Sequence, residues 1–155
     1  MRRFFIAILG ASFFLVPLCG QAPGSADNAV IDGILGEKVI SWGNASWLIG
    51  RAVETMDEGI APADAAAKAA TAGWGPSGRS PNAPLYLKSY SLMLVKAFSL
   101  PTGLLYRWFP GSRYALRELV FRRIVPATRS PDDPVSGEEA MRYLQAVQEW
   151  KAGQK

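Results

Sequence analysis

Two carboxylate pairs, Asp132-Asp133 and Glu138-Glu139, stand close enough in sequence to converge for acid–base work or on a cation. No histidine accompanies them, because the chain has none, so the commonest general base and metal ligand is missing. Asp132 and Asp133 fall in a proline-flanked turn without the regular spacing of a calcium loop. Glu138 and Glu139 follow Ser136 and open an apolar-periodic run, where free amides and the helix dipole attract carboxylates. No serine sits in a nucleophile elbow, and Cys19 is the single cysteine. The expectation is a non-enzymatic protein with no catalytic residues, no cofactor and no metal.

A second set of residues suits recognition rather than catalysis. Leu104-Leu105-Tyr106-Arg107-Trp108-Phe109 places five large apolar residues around one arginine, between two turn signals. A loop this aromatic is either tucked onto the core or held out for a partner. From 101 to 130 there are six arginines (107, 113, 117, 122, 123 and 129) and one acid, Glu118. Arginine among aromatics is typical of interface hot spots. Arg113 and Arg117 share a helical stripe flanked by Val120, Tyr114 and Phe121, which suggests partial burial. They would pair either with acids such as Asp57, Glu58 or Asp64, or with an anionic partner. Trp47 stands opposite the apolar stripe of its own helix, beside Arg51, and suggests a contact with another part of the chain or with a partner protein. The candidate partner-binding residues are Tyr106, Arg107, Trp108, Phe109, Arg113, Tyr114, Arg117 and Trp47.

The N-terminus indicates where such a partner would be met. Arg2 and Arg3 precede an apolar run from Phe4 to Leu18, and Gly24-Ser25-Ala26 offers small residues before Asp27. This is the pattern of a secretory signal peptide over residues 1–26, and its apolar run is shorter than the roughly 20 residues of a bilayer span. Cys19 follows the run closely enough for lipid attachment, the alternative to cleavage after Ala26, although Pro17 and Leu18 precede it. Without residues 1–26 the chain keeps 15 basic and 13 acidic residues. Near-neutral charge gives no argument for nucleic acid. The expected location is the periplasm or cell envelope, with other envelope proteins as partners, an anionic glycan as a further candidate, and no transmembrane segment after processing.

The elements that must position these residues read as helices. Residues 27–40 suit a short helix through Val30, Ile31, Ile34 and Leu35. Over 44–56 a stripe of Ala45, Leu48, Ile49, Ala52, Val53 and Met56 predicts an amphipathic helix capped by Asn44. Pro62 opens an alanine-rich helix over 62–72, with an Asp64–Lys68 pair, which Gly73 ends. Residues 85–99 are apolar nearly all round and predict a buried helix. Ser112 caps a helix over 113–123 whose stripe is Leu116, Leu119 and Val120. Ser136 to Glu139 is a capping box opening a last helix that buries Ala140, Tyr143, Leu144 and Val147.

These helices are punctuated by a phrase that occurs twice. Residues 76–85 read PSGRSPNAPL and residues 126–135 read PATRSPDDPV. Aligning 85 with 135 sets Leu85, Tyr90 and Leu94 over Val135, Ala140 and Leu144. A fainter match places Ile40, Ala45 and Ile49 in the same slots. The predicted fold is all-α: three degenerate helix–loop–helix repeats, about 27–75, 76–125 and 126–155, packed as one compact domain over 27–155.

The run LRELVFRRIVPATRSPDDPVSGEEAMRYLQAV, and more faintly AAAKAATAGWGPSGRSPNAPLYLKSYSLMLVKA, resembles the S-layer homology repeat. The whole is also similar to small periplasmic proteins of spirochaetes. The resemblance implies anchoring to cell-wall-linked polysaccharide through a Thr-Arg-Ala-Glu-like helix start whose arginine contacts an anionic glycan. The matching segments are Ser41-Trp42-Gly43-Asn44, Tyr86-Leu87-Lys88-Ser89 and Ser136-Gly137-Glu138-Glu139, with Trp42, Leu87 and Gly137 at the arginine position. The reading is therefore an S-layer-homology-like scaffold that keeps the fold and has lost the polymer site. It would serve as an exported interaction module, an accessory subunit of an envelope assembly; the alternative is a glycan anchor.

Overall fold

Residues 24–154 are described by the structure, a computed structural model. Seven helices follow one another among the described residues: α1 Gly24–Leu35, α2 Trp42–Ala52, α3 Pro62–Thr71, α4 Leu87–Ala97, α5 Leu104–Trp108, α6 Ser112–Phe121 and α7 Gly137–Ala152. Among the described residues there are no strands, only two isolated antiparallel bridges, Ser41 with Pro84 and Tyr86 with Pro134. The signal segment lies outside the described residues except for its last three, whose backbone begins α1.

α2, α4 and α7 pack on one another at the centre, and each carries one outer helix. α3 lies on α2, α6 on α4, and α1, first in the chain, lies on α7, the last helix. The whole is one compact all-α domain.

The three central helices begin at a closed set of backbone hydrogen bonds. Ile40 N–H donates to the Val135 carbonyl at 2.7 Å, Leu85 N–H to Ile40 at 2.9 Å, and Val135 N–H to Leu85 at 3.4 Å. All three side chains are fully buried. Two residues later each helix starts, and its first amides have no partner within the helix. The proline phrases supply the acceptors. Trp42 and Gly43 N–H donate to Ala83 and Pro81, and Leu87 and Lys88 N–H donate to Asp133 and Pro131, at 2.7 to 2.9 Å. For α7 the acceptor is Glu37 in the link after α1, reached by Gly137 N–H at 3.0 Å. Proline has no N–H of its own, so such a phrase turns carbonyls outward without stranding donors. Its arginine holds it in shape: Arg79 donates to the Pro84 carbonyl at 2.6 Å and Arg129 to Pro134 at 3.0 Å.

Below the ring, Ala45, Tyr90 and Ala140 are fully buried, and the Tyr90 hydroxyl reaches from α4 to the Ala140 carbonyl at 2.6 Å. One ring between two alanines fills the centre, and burial pushes the Tyr90 pKa far above its usual value. A net hydrogen bond of this kind contributes about 1 kcal/mol, while leaving either partner unmatched in a dry core costs more. The outer helices meet the centre through matched seats. α3 buries Ala65, Ala66 and Ala69; α6 buries Ala115, Leu116 and Leu119, fifty residues on.

Several local expectations are corrected. The first helix stops at Leu35, and 36–40 run on as the link into the ring. Ser41, not Asn44, caps α2; Asn44 lies inside the helix and its side-chain amide donates to Glu37 at 2.8 Å. Gly111 precedes α6, and Ser112 is its first residue rather than its cap. Lys68 pairs with Asp57 at 2.7 Å instead of with Asp64. The segment 104–109 contains a one-turn helix, not an irregular loop. The capping box at Ser136 and Glu139 forms as the sequence predicts, and Gly73 ends α3 with φ +75°.

Candidate functional site

The arginine-rich window folds into α5, α6 and the second proline phrase. α4 ends at Ala97, Ser99 takes a left-handed φ of 49°, and Pro101 prevents the helix from resuming. The chain then makes the short turn of α5 and re-enters α6 through Pro110 and Gly111. Glu118 fixes this excursion from below: it accepts the Gly103 N–H at 2.8 Å and pairs with Arg122 at 2.8 Å. The Arg122 guanidinium also donates to the Pro101 carbonyl and lies 4.9 Å from the Trp150 ring centre. Arg122 is thus a structural strut, and the one acid of the window is occupied.

Tyr106 on α5 packs half-buried against the core, and burial raises its pKa. Around it the surface is open. Leu104 is 72% exposed, Trp108 77%, Phe109 59% and Phe121 85%. Phe109 stacks on the half-buried Tyr114 with ring centres 6.2 Å apart. The loop is therefore held out rather than plugged into a groove.

Arg107, Arg113 and Arg117 are exposed. This corrects the expectation that Arg113 and Arg117 are partly buried and paired. Among the described residues neither forms an ion pair, and the acids proposed for them are elsewhere. Their stripe continues to Phe121, which the sequence reading treated as a flank. The spacing of four residues from 113 to 117 to 121 was the available signal for this outward face.

Arg117 and Phe121 form a ridge between two hollows. One, of about 510 Å³, lies between α6 and the second phrase and is floored by Leu116, Val120, Ala127 and Pro131. The other, of about 340 Å³, is lined by Gly103, Tyr114 and Glu118 as well as the ridge. Arg129 at the edge of the first hollow is already engaged with Asp133 at 2.8 Å and with Glu139.

The structure does not bring Trp47 to this face. It is 2% exposed, in the core, and its Nε1 has no hydrogen-bond partner among the described residues. Its contact is with the rest of the chain, the first of the two readings, and its burial corrects its place among the partner-binding residues. α2 is central, with α3, α4 and α7 all packed on it, so the side opposite its apolar stripe is also interior.

Three of the four paired carboxylates are engaged within the fold, and Glu138 is exposed. The Ser130 N–H and Arg129 hold Asp133 below the usual carboxylate range. Burial opposes the charged form of Glu139, but hydrogen bonds from Arg129 and the Ser136 N–H outweigh it and keep its pKa low. Asp132 is exposed, and Lys88 lowers its pKa.

The positions matching the glycan-binding arginine are interior. Trp42 and Leu87 are 1% and 0% exposed, and Gly137 is buried. A Cβ at 137 would collide with the Ile34 carbonyl, because the end of α1 lies directly on it. No protein-family model matches the chain, and no curated protein matches it.

Proposed function

We propose that the chain is an exported, non-enzymatic interaction module that serves as an accessory or scaffold subunit of a periplasmic or envelope assembly. It is built from three degenerate helix–loop–helix units of the S-layer-homology type. The closed hydrogen-bond set at Ile40, Leu85 and Val135 supports three units, and α1 on α7 supports a third unit completed by the chain's own first helix.

One observation carries the functional reading. α3 and α6 bury corresponding residues fifty positions apart, yet Ala63, Ala67 and Thr71 on the outside of α3 are answered by Arg113, Arg117 and Phe121 on α6. Large charged and aromatic residues on an outward face do nothing for packing; they suit a partner. The glycan-anchor reading has less support, since the positions that would carry its arginine lie in the core.

The test is affinity purification of the exported protein from its native envelope, comparing the natural chain with an Arg107→Ala, Trp108→Ala variant. Co-purifying envelope proteins should fall away while the variant stays folded. Undiminished recovery of every partner would place the docking face elsewhere.

A further inference from the structure

The apolar part of this face has a particular chemistry. Leu104, Trp108, Phe109 and Phe121 are each more than half exposed, and only the indole among them can make a hydrogen bond. The one tyrosine of α5, Tyr106, is half-buried and packed against the core. Beside them Arg107, Arg113 and Arg117 are exposed and without ion pairs among the described residues. The only acid in the window, Glu118, is held by Arg122 and the Gly103 amide.

The face is thus apolar and cationic: Glu118 is engaged, and Asp132, the carboxylate that Arg113 feels, is paired with Lys88. A second copy is a poor occupant, because the arginines of the two copies would meet. A rigid protein would need a fitted hollow for each protruding side chain and an acid placed for each guanidinium. A bilayer needs neither: its acyl boundary deforms around any apolar shape, and its phosphates are mobile. We infer that this face docks on an anionic lipid bilayer. Trp108, Phe109, Leu104 and Phe121 enter the boundary between headgroups and acyl chains, and the three arginines lie on lipid phosphates. The inference rests on the reading of this surface as a docking face and names its occupant.

The experiment is co-sedimentation of the exported protein with vesicles of phosphatidylcholine, alone or mixed with phosphatidylglycerol. The mixed vesicles should carry the protein down at low salt and release it as salt rises. Replacing Arg113 or Arg117 by Ala should lower partitioning about fivefold each. Trp108→Ala with Phe109→Ala should lower it about tenfold or more. Circular dichroism and urea midpoints confirm that these surface variants remain folded. Binding that ignores lipid charge and survives all the substitutions overturns the inference. No binding to mixed vesicles, together with loss of protein partners in the Trp108 variant, overturns the lipid occupant and leaves the docking face standing. No vesicle binding and no loss of partners overturns both.

Discussion

α3 and α6 occupy the same station beside their central helices, and they differ both inside and out. Inside, α3 seats Ala66 and Ala69 where α6 seats Leu116 and Leu119. Outside, α3 has Ala63, Ala67 and Thr71 at the positions where α6 carries Arg113, Arg117 and Phe121. The approaches differ too. α3 and α4 begin 25 residues apart (62 and 87), as do α6 and α7 (112 and 137), but α2 and α3 begin only 20 apart (42 and 62) against 25 for α4 and α6. The five extra residues of the second unit match the length of α5, residues 104–108. The added length and the decorated face therefore adjoin, on one scaffold that elsewhere has neither. Among its described side chains this segment gives the core only the half-buried Tyr106 and exposes Leu104, Arg107 and Trp108.

Four experiments would break or sharpen this contrast. The largest effect belongs to the interior. Leu119→Ala should cost about 2–5 kcal/mol, and Ala69→Leu about 1–3 kcal/mol through overpacking. The readout is the urea midpoint at unchanged m; a neutral Ala69→Leu would mean that the two seats are not equivalent.

The second contrast is between the two proline phrases, read by pH. In the second, Arg129 engages Asp133 and Glu139, whose pKa values are both lowered. In the first, Asn82 and Ala83 replace the two aspartates and Arg79 lies 5.7 Å from the Trp42 ring centre. A carboxylate with a lowered folded pKa binds fewer protons folded than unfolded. Its contribution is therefore present above the unfolded pKa, about 4 to 4.5, and is lost as pH falls through the folded value. Unfolding measured from pH 6 down to pH 3 should show this loss, and Glu139→Gln should flatten it while Arg79→Met leaves the slope unchanged.

A third, smaller effect concerns the helix ends. Gly73 closes α3 at φ +75°, and Arg123 closes α6 at φ +59°. A bulky residue there is strained, so Arg123→Gly should raise stability by about 0.5–1 kcal/mol. Thermal melts of the two chains check it, and a loss would mean that Arg123 makes a contact worth more than its strain.

The smallest change in stability is expected at the outer face. Arg113→Ala, Arg117→Ala and Phe121→Ala should each stay within about 0.5 kcal/mol. The reciprocal graft, Ala63→Arg with Ala67→Arg and Thr71→Phe, should be equally mild and tests whether these three residues confer docking without α5.

Much of this was legible because it is local. The capping box of Ser136 and Glu139, the glycine closure at 73 and the apolar stripes of α2, α6 and α7 depend on neighbours a few residues away. The misreadings have tertiary causes. Trp47 looked exposed because periodicity assumes a helix with one buried side, and α2 is enclosed by three helices. Asn44 looked like the cap because the acceptors that fix the start of α2, Ala83 and Pro81, lie some forty residues away. Phe121 read as an apolar flank that would bury Arg113 and Arg117, because composition does not say which flank of a helix faces water. Of the candidate site, the arginines and the aromatic run were visible as residue types. That Arg107 and Trp108 of α5 stand outward depends on how the segment is anchored by Glu118, which no local pattern announces.

The acceptor for the first amide of α7 is the Glu37 carbonyl, a hundred residues upstream, and α1 lies on that same last helix. The ring cannot shut until the final segment has been made. Contacts of such long sequence separation form late, after a costly loop closure. A chain built this way stays open while it is being synthesised, which is the state in which a polypeptide can be threaded across a membrane before it folds.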